Sequence, residues 1–195
     1  MGKLIPVNGD ALIVVDVQND FLPRGSLAVP EGDEVVPVIN QYLELFVKKK
    51  LPIYASRDWH PSNHCSFREQ GGRWPPHCVA GTYGAAFAAN LELPPGVEVI
   101  SKAMTSEQEA YSAFYGTDLD QRLKLANVRR LFTGGLATDY CILNTVKDAL
   151  DLGYSVVLLS DAIRAVDVVA GDGVRAIDEM RQLGAQVATI MELKS

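Results

Sequence analysis

Residues 134–141 read Gly-Gly-Leu-Ala-Thr-Asp-Tyr-Cys and put a cysteine where a strand hands over to a helix. Before them, 128–133 is an apolar run interrupted by Arg129 and Arg130. After them, 142–152 has the pattern of a helix. Cys141 therefore falls in the first turn of a helix, where unpaired backbone N–H groups and the positive end of the dipole meet. Both favour a thiolate, the form of cysteine that attacks carbon. Thr138 or Asp139 suits the N-cap. Gly134 and Gly135 let the backbone turn sharply and leave space over the sulfur. A free cysteine is as often a small core residue, and this stretch alone leaves both readings open.

A second constellation lies upstream. Asp58 and His60 are two residues apart, which in an extended loop separates their backbones by roughly 7 Å, close enough for both side chains to reach one ion. His77 supplies a third ligand if the intervening loop brings it back. One carboxylate and two imidazoles suit zinc, iron(II) or manganese. All three histidines of the chain, His60, His64 and His77, fall between positions 60 and 77. His64 is open between a fourth ligand and a residue of the surroundings. Cys65 and Cys78 form no CxxC pair, so a Cys-rich structural zinc site is a poor match. Phe21, Trp74 and Tyr111 are either core aromatics or rings that stack on a substrate.

These residues need elements to hold them. Apolar runs at 11–15, 51–56, 97–101, 128–133, 155–160 and 186–190 read as strands. Helical spacing covers 35–50, 119–126, 142–152 and 173–183. Strands alternating with helices predict a parallel sheet with helices on both faces, and chemistry beyond the carboxyl ends of the strands. Asp16, Asp58, Lys102 and Cys141 follow the first four strands in order. That alignment favours Cys141 as a nucleophile. Asp161 follows the fifth strand and reads as a cap or loop anchor. Residues 61–95 have little periodicity, and a loop of that length inside a compact domain usually carries function.

The 195 residues predict one domain, 1–195, with an apolar fraction of 48% that fits a large core. A net charge of −6 argues against nucleic acid or an anionic membrane as partner. No leader or membrane-spanning run is visible, and three cysteines without a disulfide pattern suit a reducing cytoplasm. The chain has neither GxGxxG nor a GxxxxGK phosphate loop. A small-molecule substrate remains, and a homo-oligomer is compatible with the sequence.

Asp16-Val17-Gln18-Asn19-Asp20-Phe21 with Gly25-Ser26-Leu27-Ala28-Val29 resembles the first motif of nicotinamidases, within the isochorismatase-like cysteine hydrolases. Arg57-Asp58-Trp59-His60 and residues 74–82 resemble their metal loop, and Tyr111-Ser112-Ala113-Phe114 and residues 135–141 complete the set. The resemblance implies a three-layer α/β/α fold with a six-stranded parallel sheet of order 3-2-1-4-5-6. It implies a catalytic triad of Asp16, Lys102 and Cys141, and one divalent metal, zinc first among the candidates, on Asp58, His60 and His77. It also implies a cis peptide between Leu136 and Ala137, with the N–H groups of Ala137 and Cys141 forming an oxyanion hole. Phe21, Trp74 and Tyr111 would pack against the substrate ring. The implied reaction is hydrolysis of nicotinamide, and of pyrazinamide, through a cysteine thioester. The alternative within the family is an amidase acting on a carbamoyl or ureido substrate.

Overall fold

The computed structural model describes residues 4–193. β1 (Asp10–Val15) is buried along its whole length and lies at the centre of a parallel sheet. β2 (Ile53–Asp58) and β3 (Glu98–Lys102) extend the sheet on one side, and β4 (Arg130–Leu136), β5 (Ser155–Arg164) and β6 (Gln186–Ala188) on the other, giving the order β3-β2-β1-β4-β5-β6. The order reverses between β1 and β4. In an open α/β sheet a crevice forms beyond the strand ends at that point.

The alternation of side chains along each strand splits the core in two. Leu12, Val14 and Phe132 point to the face covered by α1 (Val35–Lys48), which buries Ile39, Leu43 and Phe46 there. The four-residue α5 (Ile190–Leu193) joins that layer through Ile190 and Leu193. Ala11, Ile13, Val15 and Leu131 point to the opposite face, covered by α2 (Leu119–Leu125), α3 (Leu143–Asp151) and α4 (Asp172–Gln182) through Leu123, Val146 and Met180. The expected three-layer fold and strand order are both present.

Several boundaries differ from the sequence expectation, with consequences for the site. β2 and β3 run on to include Asp58 and Lys102, which pair directly across the ladder. Neither residue follows its strand; each closes it. β5 continues to Arg164, past the expected end at 160, because a register shift against Thr133 and Gly135 lets it follow β4 further. β6 is three residues long and gives way to α5, where Glu192 accepts hydrogen bonds from the Thr189 amide and hydroxyl. Asp161 is the anchor expected: it accepts from the Tyr42 hydroxyl at 2.7 Å and the Ile190 amide at 2.9 Å, tying β5 to α1 and α5. No described helix is long and apolar enough to cross a membrane.

Candidate active site

Lys102 is the centre of the crevice. Its ammonium is fully buried, 2.6 Å from Asp58 Oδ1, 2.9 Å from Asp16 Oδ2, 3.0 Å from the Ala110 carbonyl and 3.6 Å from Cys141 Sγ. Burying an ammonium costs several kcal/mol unless opposite charges surround it. Burial alone would lower the Lys102 pKa, but the two carboxylates outweigh it and hold the pKa well above the ordinary lysine value. Lys102 is thus a fixed positive charge shared by two acids.

Those acids differ. Both are buried, which pushes each carboxyl up. At Asp58 the charge of Lys102 and the hydrogen bond from it win, and its pKa falls. At Asp16 burial wins, reinforced by the neighbouring Asp58, and its pKa rises despite Lys102. Asp16 Oδ1 accepts from the Ser56 hydroxyl at 2.6 Å, whereas Oδ2 faces the Lys102 ammonium at 2.9 Å. Asp16, Asp58 and Cys141 bring ligand atoms within 4.8 Å of one another. Asp16 also has φ +51°, in the left-handed region, as do Cys78 and Ala103 nearby. Such backbone is uncommon for non-glycine residues and clusters at functional sites.

Cys141 sits in a π turn, Thr138–Ile142, that leads into α3. Neither Thr138 nor Asp139 caps it: the N-cap residue is Ala137, and no side chain bonds the cap. Asp139 turns away, and its carboxylate accepts the Val166 and Asp167 amides, both at 2.9 Å. It thereby fixes the chain that supplies Val166 to the pocket. The pull of the helix start toward a thiolate is opposed by the surroundings. Burial, with Asp16 and Asp58 adding to it, keeps the Cys141 thiol well above the usual cysteine pKa, and Lys102 only partly opposes this. Cys141 Sγ shares this buried group with the carboxyls of Asp16 and Asp58. The peptide between Leu136 and Ala137 is cis. The two glycines do not open space over the sulfur. Gly135, at φ +132°, lies so close to β1 that a Cβ would stand 2.0 Å from the Val15 carbonyl oxygen, and Gly134 packs on Ala162.

Asp58, His60 and His77 converge, with ligand atoms within 4.8 Å of one another, all buried. His60 Nδ1 lies 3.2 Å from the Ala103 carbonyl and His77 Nδ1 2.8 Å from the Pro75 carbonyl. A carbonyl only accepts, so both Nδ1 atoms carry the proton and both Nε2 lone pairs are free to ligate. Burial lowers the His60 pKa to about 4, which keeps that ring neutral. This donor set fits a divalent metal. His64 stands apart. Its Nδ1 accepts from the Ser66 hydroxyl at 2.7 Å and its Nε2 donates to the Gln108 carbonyl at 3.0 Å, so both nitrogens are committed. Its ring stacks on His60 at 4.1 Å between centroids. His64 thus stacks against the His60 ring and lies outside the group formed by Asp58, His60 and His77.

The polar residues after Asp16 hold this loop in place. Gln18 accepts from the Asp58 amide and donates to the Asp58 and Ala85 carbonyls, all within 2.9 Å. Asp20 accepts the Cys78 amide at 2.7 Å, next to His77. Gly84 is required there, since a Cβ would stand 2.0 Å from Asp20 Oδ2. Sequence reading left Gln18, Asn19 and Asp20 without roles. Gln18 and Asp20 are the pins between the β1 end and the histidine loop, and Asn19 donates to the Tyr83 carbonyl of the same loop at 2.8 Å.

A pocket opens over Cys141, and Phe21, Trp74 and Tyr111 all line it, with Asp58, His77 and Ala137. The Trp74 indole N–H donates to the Tyr111 hydroxyl at 3.0 Å. Sequence reading missed Tyr140, Leu27 and Val166, which complete the wall. Tyr140 packs edge-on against Trp74 at 5.1 Å and tilted against Tyr111 at 5.4 Å. Its position immediately before the cysteine was the available signal. Leu27 lay within the first family motif without a role assigned to it, and Val166, arriving from a distant loop, had no signal.

The family model described as isochorismatase domain matches residues 10–192, and the chain belongs to that family. Within it, the nicotinamidase of Escherichia coli (strain K12) is 37% identical over 203 residues, covering 93% of this chain and 95% of that protein. Two solved structures are also similar. The pyrazinamidase of Pyrococcus horikoshii, in complex with zinc, is 47% identical with a TM-score of 0.90 and covers 93% of this chain and 99% of that one. PnC1 from L. infantum, in complex with nicotinate, is 36% identical with a TM-score of 0.86 and covers 96% of each chain.

Proposed function

We propose that the chain is a metal-dependent nicotinamidase that hydrolyses nicotinamide to nicotinate and ammonia through a thioester on Cys141, and that it also accepts pyrazinamide. The observation that carries this reading is the convergence of two sites in one pocket. A thiol beside a carboxylate and an imidazole–carboxylate cluster share Asp58, and aromatic rings line the pocket over both. Two relatives support the substrate class: the similar protein of Escherichia coli is a nicotinamidase and that of Pyrococcus horikoshii a pyrazinamidase.

In this reading Asp16 takes the thiol proton through Oδ2, and its raised pKa matches it to that task. The Cys141 thiolate attacks the carboxamide carbon, and the oxygen gains the displaced electron pair. The N–H groups of Ala137 and Cys141 stabilise that oxyanion; donors of this kind are worth about 3 to 4 kcal/mol each. Asp16 returns the proton to the nitrogen as the C–N bond breaks, releasing ammonia and leaving the thioester. Water then attacks the thioester while Asp16 accepts its proton; the thiolate leaves, is reprotonated, and nicotinate departs. Lys102 keeps its charge throughout, steadying Asp16 and the thiolate in turn. A divalent ion on Asp58, His60 and His77, zinc first among the candidates, would supply a coordination position for the ring nitrogen. Phe21, Trp74, Tyr111 and Tyr140 hold the ring flat and exclude water.

The test is an ammonia-release assay with the whole chain and its Cys141→Ala variant, together with mass spectrometry of acid-quenched turnover. The wild type should release ammonia from nicotinamide and carry a nicotinoyl group on Cys141. The variant should lose about 10⁴-fold or more in kcat while still binding nicotinate. Substantial turnover by the variant would show that the nucleophile lies elsewhere.

A further inference from the structure

Arg73 is exposed, in the loop immediately before Trp74, and the mechanism above does not use it. Its guanidinium carbon lies 5.1 Å from the centre of the Trp74 ring and 6.0 Å from that of Tyr140. Those two rings come from different parts of the chain, Trp74 from the histidine loop and Tyr140 from the π turn that carries Cys141. They meet edge to face at 5.1 Å to form one side of the pocket. The positive charge of Arg73 also acts on the Tyr140 phenol and on the Asp172 carboxylate at the start of α4. Tyr140 has the pocket on one side. On the other is an open groove lined by Asp139, Asp172 and Arg175, so its ring is the partition between the two. The pocket itself is tight, with Cys141 only 5% exposed.

We propose that Arg73 is a positioning residue that ties Trp74 to Tyr140 across the mouth of the pocket, and so sets how tightly a flat ring is held over Cys141. The proposal rests on the nicotinamidase reading for its substrate, but the geometry of the tie does not depend on it. A planar guanidinium can lie against two rings at once, which an ammonium does less well. The backbone around Arg73 has its own support. The Arg73 carbonyl accepts from Arg68 Nε, the Arg68 amide donates to the Trp74 carbonyl at 2.7 Å, and the Trp74 amide donates to the Ser66 carbonyl at 2.9 Å. Removing the side chain should therefore loosen the partition without unfolding the loop.

The experiment compares wild type, Arg73→Ala and Arg73→Lys by three readouts. These are melting temperature, KM and kcat for nicotinamide, and the rate at which iodoacetamide alkylates Cys141, followed on the Cys141 peptide so that Cys65 and Cys78 do not contribute. Arg73→Ala should raise KM by about two- to fivefold, the effect of an exposed cation–ring contact. It should leave kcat and melting temperature nearly unchanged and speed alkylation of Cys141 by a similar factor. Arg73→Lys should recover part of both changes. The tie is refuted if Arg73→Ala leaves KM and alkylation unchanged, or if KM rises only alongside a lowered melting temperature and slower alkylation. A wild type that releases no ammonia from nicotinamide would defeat the substrate assignment, and the alkylation rates would still decide the role of Arg73.

Discussion

The site in and beneath the pocket has two walls built in different ways. On one, Asp16, Lys102 and Cys141 come from the ends of β1 and β3 and from the turn after β4, and the sheet ladder fixes their spacing. On the other, His60, His77, Trp74 and Tyr111 come from segments with few regular elements, held by side-chain-to-backbone bonds such as those of Gln18 and Asp20. The reacting groups stand on the rigid frame, and the groups that would bind metal and ring stand on pinned loops. Lys102 belongs to both walls, because its ammonium bonds to Asp58 as well as pairing with Asp16. The difference suggests that chemistry is set by the fold, while recognition is set by what the loops carry.

The sharpest way to break that division is to remove the residue the walls share. Lys102→Met would leave two buried carboxylates facing each other without a counter-charge. Breaking a buried ion pair in this way costs about 3 to 5 kcal/mol. Activity should be lost and thermal stability should fall markedly, as measured by denaturation and ammonia release. A Lys102→Met protein as stable as wild type would mean that the two acids do not depend on the lysine, and that the walls are separate.

A smaller effect is expected from the loop wall alone. His77→Ala should lower bound metal at least about 100-fold in affinity, by analogy with losses seen when even the supports of metal ligands are removed. It should raise KM for nicotinamide while leaving the rate of Cys141 alkylation within a few-fold of wild type, because the Asp16–Lys102–Cys141 group does not include it. Alkylation that collapsed in this variant would show that the histidine cluster tunes the cysteine, and the two walls would then be one unit.

The same contrast explains what the sequence could reveal. Asp16, Lys102 and Cys141 were readable because parallel strands end in one place, so a polar residue closing each apolar run points to a shared crevice. The parallel sheet and both helical layers follow from the same alternation, whereas the strand order was implied only by the resemblance to the family. What sequence reasoning missed depends on chain segments meeting through space. Tyr140 carries no periodic signal, and its role appears only when Trp74 and Tyr111 stand beside it. The supposed cap at Thr138 or Asp139 failed because a π turn begins the helix, and Asp139 is drawn to the Val166 amide. Burial, which no motif displays, pushes the Cys141 thiol pKa up and so opposes the helix start. His64 was undecidable from spacing, since only the positions of Ser66 and Gln108 commit its two nitrogens.

The measurement that bears most directly on the central claim is ammonia release from nicotinamide, pyrazinamide and benzamide, with and without a chelator. If the ring nitrogen is anchored at Asp58, His60 and His77 and the carboxamide is thereby set over Cys141, nicotinamide and pyrazinamide should both be hydrolysed. Benzamide, which has no ring nitrogen, should be slower by about 100-fold or more in kcat/KM. Chelation should bring nicotinamide turnover down toward the benzamide level. Benzamide turnover equal to that of nicotinamide, or nicotinamide turnover untouched by complete removal of metal, would contradict the account.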